Sequence, residues 1–292
     1  MKVLIAGSSG LVGSHLKEVL EKNGIQVSLL VRRKPKSEKE IYWNPITKTL
    51  SPDAIKDFDA IVCLSGESIA TYWTKRKKFQ ILESRINAVE TISNAIESLS
   101  TKKPRLLCAS AIGFYGHRED ELLSEESSKG KGFLSDVCKA WEDAGAKSSA
   151  TCIRLGVILS KKGGALSKML PSFKVGFGAI PGSGKQYLSW ITLDDVAEIF
   201  LFLLHHPEIN GPVNAVSPEP VQAKTFYKTL ASKLHRPCAI YIPAWFLKAL
   251  LGEMAFEMLL ASSRVQPKAL LTHGFRFKHS TIENAFEDLL LK

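Results

Sequence analysis

Three regularly spaced glycines, Gly7, Gly10 and Gly13, lie where an apolar segment gives way to a helical pattern. Residues 1–6 form an apolar run of the length of a buried strand, and apolar residues at helical spacing follow from Leu11. In this order Gly7 allows a sharp turn, Gly10 lets the backbone approach a diphosphate, and Gly13 allows close helix packing. The sequence therefore predicts a dinucleotide site, with the diphosphate against free N–H groups at the positive end of a helix dipole. The predicted contacts are Gly7, Ser8, Ser9, Gly10, Leu11, Val12 and Gly13.

Basic residues follow the second predicted strand, at the position that distinguishes NADP(H) sites from NAD(H) sites. This strand, at 26–31, runs into Arg32 and Arg33, and no acidic residue occurs before Glu38. An NAD site commonly has an acidic residue here for the ribose 2′-hydroxyl, whereas a guanidinium can bind a 2′-phosphate through two hydrogen bonds. The pattern favours NADP(H) as the cofactor. The alternative is that Arg32 and Arg33 are two solvated charges of a basic protein.

Small residues also follow two further predicted strands, at 60–64 and 105–109. Because the carboxyl ends of parallel strands meet at one edge of a sheet, we expect these loops to converge with the glycine loop on one ligand. Ser110 is then placed to hydrogen-bond a carbonyl or hydroxyl group of a substrate. The alternative for Ser110 is an ordinary loop or cap hydroxyl. The cofactor contacts predicted in these loops are Leu64, Ser65, Gly66, Glu67 and Ala109.

Strands and helices alternate through the first half of the chain, as a parallel sheet with crossover helices requires. The expected fold class is α/β, a Rossmann-type doubly wound parallel sheet with a smaller, mainly helical C-terminal lobe. We expect an NADP-binding domain at 1–158, with 187–216 returning to its sheet. The substrate-side lobe would span 159–292, and its last module about 240–292.

Two local elements are also predicted. Residues 41–43 and 47–50, joined around Asn44 and Pro45, have the pattern of a hairpin insert after the second strand. A long helix over 74–99 carries an apolar stripe that should face the core. The members of this stripe are Phe79, Leu82, Ile86, Val89, Ile92, Ile96 and Leu99.

The composition is that of a globular protein, with 292 residues, 45% of them hydrophobic and 23% charged. The net charge of +10 is dispersed and accompanies no nucleic-acid-binding signature, so we expect a small-molecule partner and no nucleic acid. The five cysteines lack C-x-x-C spacing, which indicates buried thiols of a reducing compartment and no metal site. We expect a cytoplasmic protein, because the chain begins with a core strand and no segment has the pattern of a leader.

The most apolar late segment, 243–261, carries Lys248, Glu253 and Glu257, which disfavours a membrane span. We therefore expect no membrane partner. The segment is apolar on nearly all sides, which predicts burial within the smaller lobe or against another subunit, as in a homodimer.

The glycine spacing resembles that of the extended short-chain dehydrogenase/reductase family, which includes sugar-nucleotide epimerases and dehydratases. Segments over nearly the whole chain are similar to one atypical subgroup of NAD(P)-dependent epimerase/dehydratase-like proteins. This subgroup is labelled "epimerase family protein", and its C-terminal module has no assigned function. The similar segments are 133–142, 153–159, 182–191, 211–215 and a tail from 234–237 through 252–254 to 274–277.

The resemblance implies further site residues. Gly66 corresponds to a small residue that lets the nicotinamide ribose lie close to the backbone, and 110–116 corresponds to a serine-to-tyrosine-glycine segment. Asn87 corresponds to an asparagine that faces the active site, and Arg85 matches the pattern of the subgroup, so both are substrate-side candidates. The alternative for Arg85 and Asn87 is ordinary helix surface.

The sequence departs from the family at the catalytic residues. Active members use a tyrosine as general acid/base and a lysine four residues later, which lowers the pKa of the tyrosine and holds the nicotinamide ribose. Alignment on Glu142 puts Leu134 at the tyrosine position and Cys138 at the lysine position. Leucine has no proton to exchange, and a thiol is not a fixed cation. Lys139 is adjacent, but it points about 100° away around a helix.

Two functional interpretations follow. In the first, the protein is an NADP(H)-dependent oxidoreductase or nucleotide-sugar epimerase-like enzyme for an unidentified small molecule, with Ser110 and Tyr115 as catalytic residues. Lys185, Gln186 and Trp190 would then shape the substrate pocket. In the second, the protein binds NADP(H) without turnover, as a redox sensor or regulatory protein. We favour the enzyme, because a large second lobe is hard to explain without a substrate.

Overall fold

The computed structural model describes residues 1–100 and 102–291 of the chain. The strands are β1 (Lys2–Ala6), β2 (Gln26–Val31), β3 (Glu40–Tyr42), β4 (Ala60–Cys63), β5 (Arg105–Ala111), β6 (Leu122–Leu123), β7 (Thr151–Leu155), β8 (Val157–Leu159), β9 (Ala179–Pro181), β10 (Tyr187–Leu188), β11 (Trp190–Thr192), β12 (Pro212–Ala215), β13 (Val221–Gln222), β14 (Ile240–Ile242) and β15 (Arg264–Val265). The helices are α1 (Leu11–Lys22), α2 (Lys75–Glu97), α3 (Phe133–Ala144), α4 (Gly164–Lys174), α5 (Leu193–His205), α6 (Ala223–Lys233), α7 (Ala244–Leu251), α8 (Glu253–Ala255), α9 (Lys268–Thr272) and α10 (Ile282–Leu291). A π-helical turn spans Phe256–Leu260.

Seven strands form the main sheet, in the order β12-β7-β5-β4-β1-β2-β3. The sheet is parallel, and β1 lies between β4 and β2, with Val3 beside Ala60 and Val27. The four residues from Val3 to Ala6 are fully buried, which is typical of a parallel strand covered on both faces. The Rossmann-type α/β fold with a helical C-terminal part is therefore confirmed.

The predicted hairpin insert is wrong. Strand β3 pairs in parallel with β2, with Leu29 opposite Glu40 and Val31 opposite Tyr42, and so it forms the edge of the main sheet. Only an isolated antiparallel bridge joins Asn44 to Thr49. Two parallel neighbours usually need a connection of a dozen or more residues, which commonly contains a helix. The segment between β2 and β3 is too short for that pattern, so sequence reasoning took β3 for part of a hairpin.

Helix α2 begins close to its predicted start, and the Thr74 hydroxyl caps it by accepting from Lys77 N at 3.1 Å. Its centre is buried as predicted, but Phe79 is 63% exposed, so the stripe is wrong at this end. The buried residue in that turn is Ile81, which lies about 200° further around the helix. Lysines and an arginine surround Phe79 in the first turns, where the helix presents its charged side.

Two units make up the chain, each assembled from three segments. The first unit comprises 1–110, 137–153 and 197–213, and its core includes the central strands together with Leu16 and Leu20 of α1. The second unit comprises 111–136, 154–196 and 214–292. Its core contains the packed aromatic rings of Phe226 and Phe286. The domain boundaries expected from the sequence stay a prediction.

The apolar segment around α7 is only partly buried. Trp245, Phe246 and Leu250 are exposed, Trp245 to 71%, whereas Leu247 and Ala255 are buried. Burial within the smaller lobe is therefore wrong for those three side chains, and contact with another subunit stays a prediction. Within the described ranges, no helix combines the length and apolarity needed to cross a bilayer. The same residues include no cluster of three or more His, Cys, Asp or Glu side chains that could hold a metal ion.

Candidate functional site

The glycine loop between β1 and α1 makes a tight turn. Gly7 has a φ of +85°, in the left-handed region, and Gly10 N donates to Gly7 O at 3.1 Å. A Cβ on Gly7 would lie 2.8 Å from the carbonyl carbon of Leu64, and a Cβ on Gly13 would overlap Gly7 O. Packing inside the first unit therefore requires glycine at 7 and 13.

Gly10 differs from its neighbours, because a Cβ there would meet nothing closer than Gly7 O at 3.4 Å. Gly10 is exposed and directly precedes α1, and the helix has neither a side-chain cap nor an acidic residue in its first turn. First-turn N–H groups lack partners within their own helix, and they favour an anionic acceptor. The diphosphate of a dinucleotide fits this helix end, and Gly10 leaves room for it.

The two arginines after β2 have different surroundings. Arg33 donates Nη1 and Nη2 to the Glu40 carboxylate at 2.8 and 2.5 Å. This hydrogen bonding raises the pKa of Arg33 and lowers the pKa of Glu40 to about 2. Arg32 is exposed, and it makes no ion pair with any residue that the structure describes. Arg32 is thus the guanidinium without an ion pair among the described residues, and its contact with a 2′-phosphate stays a prediction. Glu40, which no local sequence pattern indicated, fixes Arg33.

The loop after β4 contacts both the glycine turn and α2. Leu64 packs against Gly7, and Arg85 Nη1 donates to Glu67 O at 3.0 Å. The structure therefore brings Arg85 to the loop that was expected at the nicotinamide half. Asn87 is half-buried, and its Nδ2 donates to a carboxylate oxygen of Glu83 on the same helix at 3.2 Å. Its substrate-side role stays a prediction.

The end of β5 buries the serine that was predicted to contact a substrate. Ser110 is 2% exposed, and its hydroxyl donates to Glu142 Oε1 of α3 at 2.7 Å. These contacts are those of a satisfied hydroxyl between a strand and a helix. The catalytic role of Ser110 stays a prediction that its burial disfavours. The bond joins residues 32 positions apart, so no local sequence pattern predicts it.

Helix α3 carries Leu134 and Cys138, the two residues that the family resemblance aligned with the tyrosine and lysine of active members. At its N-terminus, the Glu257 carboxylate accepts from Phe133 N at 2.8 Å and from Leu134 N at 2.7 Å. A Cβ on Gly132 would lie 2.9 Å from Glu257 Oε1, so glycine permits this approach. Glu257 belongs to the late π-helical turn, and no sequence signal indicated that it would contact the start of α3.

Tyr115 is fully buried in the second unit. Its hydroxyl lies 2.7 Å from Asn214 Oδ1 and 2.9 Å from Ser124 O, and it accepts from Arg154 Nη1 at 2.9 Å. The Arg154 guanidinium also lies 3.5 Å from the centroid of the Phe114 ring. Burial raises the pKa of Tyr115, which is opposite to what a general base needs. The hydroxyl is fully engaged within the protein, and the catalytic role of Tyr115 stays a prediction that this geometry disfavours.

The three residues predicted to shape a substrate pocket differ in exposure. Trp190 is fully buried, and its Nε1 donates to Glu219 O at 3.1 Å. Gln186 is buried too, and its Nε2 donates to Leu259 O at 3.0 Å. Lys185 is exposed. Packing in the core explains the burial of Trp190, and hydrogen bonds to the backbone explain the position of Gln186. The roles of these residues toward a substrate stay predictions.

Known proteins resemble the chain over nearly its full length. Residues 3–216 match the NAD dependent epimerase/dehydratase family, and residues 242–289 match a domain of unknown function, DUF1731. Epimerase family protein MT2273 of Mycobacterium tuberculosis is 40% identical over 289 residues, which cover 97% of this chain and 95% of that protein.

The solved structures that are similar to this one include a human and a bacterial protein. Human epimerase family protein SDR39U1 with NADPH superposes at a TM-score of 0.91 and 26% identity, over 100% of both chains. The nucleoside-diphosphate sugar epimerase from Corynebacterium glutamicum superposes at a TM-score of 0.81 and 34% identity, over 99% of this chain and 58% of that chain.

Proposed function

Because the chain belongs to the NAD dependent epimerase/dehydratase family, with a DUF1731 domain at its C-terminal end, we propose that it binds NADP(H) and acts on a small molecule as an oxidoreductase or epimerase-like enzyme. The resemblance stated from the sequence is confirmed. The observation that carries the proposal is the uncapped N-terminus of α1 behind Gly10, where a Cβ would meet only Gly7 O, at 3.4 Å.

Groups of the first unit account for the binding of each part of the dinucleotide. The first N–H groups of α1 donate to the diphosphate, and Arg32 binds the 2′-phosphate. The loop from Leu64 to Glu67 lies against the nicotinamide ribose. When bound, the dinucleotide supplies hydride transfer. The NADPH in the structure of the human relative supports NADP(H) over NAD(H).

A second candidate function is binding without turnover, as a redox sensor or regulatory protein. Leu134 and Cys138 favour it, because they replace the acid/base pair of active relatives. Burial of the Ser110 and Tyr115 hydroxyls favours it further. A screen of carbonyl compounds and nucleotide sugars separates the two functions. An oxidoreductase consumes NADPH with at least one carbonyl compound, whereas an epimerase, which returns the hydride to its substrate, converts at least one nucleotide sugar without net consumption of the dinucleotide. A sensor gives neither NADPH consumption nor a converted sugar.

The test of the proposal is a titration of the protein with NADPH and NADH. We expect NADPH to bind about tenfold tighter or more, because a charge-assisted hydrogen bond contributes about 1.5–3 kcal/mol. Arg32→Ala should remove this preference by weakening NADPH alone, whereas Lys39→Ala, which removes an exposed charge nearby, should not. Equal affinities of the wild type for both dinucleotides would reject the NADP(H) assignment. If Arg32→Ala lost affinity for NADPH and NADH equally, Arg32 would contact a part of the dinucleotide other than the 2′-phosphate.

A further inference from the structure

Arg85 of α2 lies half-buried against the loop that follows β4. Its Nη1 donates to Glu67 O at 3.0 Å and to Ile81 O at 2.9 Å, and its Cζ lies 4.9 Å from the centroid of the Trp141 ring. A Cβ on Gly66 would come within 3.2 Å of that Cζ. The guanidinium therefore packs directly on the backbone of the loop, at a position where a side chain would crowd it.

The charge of Arg85 has no acidic partner of its own. Burial lowers its pKa, with Cys138 and Glu67 acting in the opposite direction, but a guanidinium remains charged at neutral pH. Glu67 is already paired with Lys77, at 2.5 Å. Among the residues that the structure describes, Arg85 makes no ion pair. A half-buried cation without a carboxylate costs free energy, and an anionic ligand would offset this cost.

Donor atoms without acceptors lie in the same cluster. Neither Nε nor Nη2 of Arg85 donates a hydrogen bond to any group in the described part of the chain. The Nε1 of Trp141, which is 7% exposed, is buried without an acceptor there. Buried donors ordinarily have acceptors, so unpaired donors in one cluster point to a ligand that brings its own.

This cluster adjoins the glycine turn through one short loop. Leu64 N donates to Ala6 O at 2.9 Å, and Leu64 also contacts Gly7. Two residues further on, Gly66 lies against the guanidinium, with the Nη2 of Arg85 3.4 Å from its Cβ position. A dinucleotide whose diphosphate reaches α1 therefore continues toward Arg85 along the carboxyl ends of β1 and β4.

We propose that Arg85 binds the second phosphate of the dinucleotide, the one that carries the nicotinamide ribose, through its free Nε and Nη2. This inference rests on the proposed function and names a further binding residue for it. The planar fork of a guanidinium matches two phosphate oxygens, and a lysine ammonium does not. Arg85 then provides a fixed positive charge on this side of the site, where Cys138 provides none.

A series of truncated ligands tests this assignment. The probes are 2′,5′-ADP, which ends at the first phosphate, 2′-phospho-ADP-ribose, which adds the second phosphate and its ribose, and NADPH. Each is titrated calorimetrically into the wild type, Arg85→Met, Arg85→Lys and the control Arg76→Met, which removes an exposed charge from the same helix. Thermal unfolding of each variant reports whether the protein is folded.

We expect Arg85→Met to bind 2′,5′-ADP as the wild type does, and to bind the two longer ligands about tenfold more weakly. Arg85→Lys keeps the charge and loses the fork, so it should show a smaller loss for the same two ligands. If Arg85→Met does not fold, the same comparison is made with Arg85→Lys. Arg76→Met should match the wild type throughout.

If Arg85→Met lost affinity equally for all three ligands, the assignment would be overturned, because Arg85 would then only support the loop. Unchanged affinity for all three in a folded Arg85→Met protein would overturn it as well. In both cases the proposed function survives, since the wild type still binds NADPH. A wild-type protein that binds none of the three ligands would instead overturn the proposed function, and this inference with it.

Discussion

At the residue scale, the three glycines of the first loop have separate physical roles. Gly7 and Gly13 avoid collisions within the protein, whereas a Cβ on Gly10 would meet only Gly7 O, at 3.4 Å. The sequence was sufficient to predict the turn at Gly7 and the close packing at Gly13, because strand, turn and helix are contiguous there. The approach of a diphosphate at Gly10 stays a prediction. The sequence was not sufficient for Glu40, whose bond to Arg33 depends on the pairing of β3 with β2. The burial of Tyr115 likewise depends on Asn214 and Arg154, which are distant in sequence.

Two alanine substitutions separate these roles. Gly13→Ala should destabilise the protein by roughly 1–3 kcal/mol, because its Cβ overlaps Gly7 O. Gly10→Ala should leave stability within about 1 kcal/mol of the wild type, since Gly10 has a φ of −76° that alanine adopts freely. Gly10→Ala should nevertheless weaken NADPH binding about tenfold or more, because the methyl group takes the space of the diphosphate.

Thermal unfolding and NADPH titration of both variants measure these effects. Wild-type affinity in Gly10→Ala would contradict the placement of the diphosphate. Wild-type stability in Gly13→Ala would contradict the packing that we describe.

At the element scale, a segment late in the chain holds the start of α3. The π-helical turn at 256–260 directs Glu257 to the N–H groups of Phe133 and Leu134, and Ser262 and Ser263 bond the backbone of Glu119 and Gly116. π-helical turns are rare and often occur at functional sites. Long helices such as α2 were predictable from periodicity, but this contact joins residues more than a hundred positions apart. No local pattern encodes it.

Glu257 should therefore stabilise the protein as an N-cap supplied from a distance. Glu257→Ala removes both acceptors, so we expect a loss of about 1–2 kcal/mol in the free energy of unfolding. Glu257→Gln keeps one acceptor oxygen and should lose less. Glu198→Ala, on an exposed position of α5, serves as the control. The measurement is urea unfolding, and a Glu257→Ala protein as stable as the control would contradict the capping role.

At the scale of the whole molecule, the fold class followed from the sequence, whereas the expected domain boundaries stay a prediction. All five cysteines are free, and Cys63, Cys108, Cys138 and Cys152 are buried. Each unit draws on three separate segments, so no single boundary in the sequence marks them. A cytoplasmic location, a small-molecule substrate and the absence of nucleic-acid and membrane partners stay predictions.

The most direct test of the central claim is a crystal structure of the chain grown with saturating NADPH. We expect density for the diphosphate against the backbone N–H groups of Leu11 and Val12, with Gly10 in contact and the 2′-phosphate beside Arg32. NADPH bound elsewhere on the chain, or a glycine loop without a dinucleotide under these conditions, would contradict this expectation.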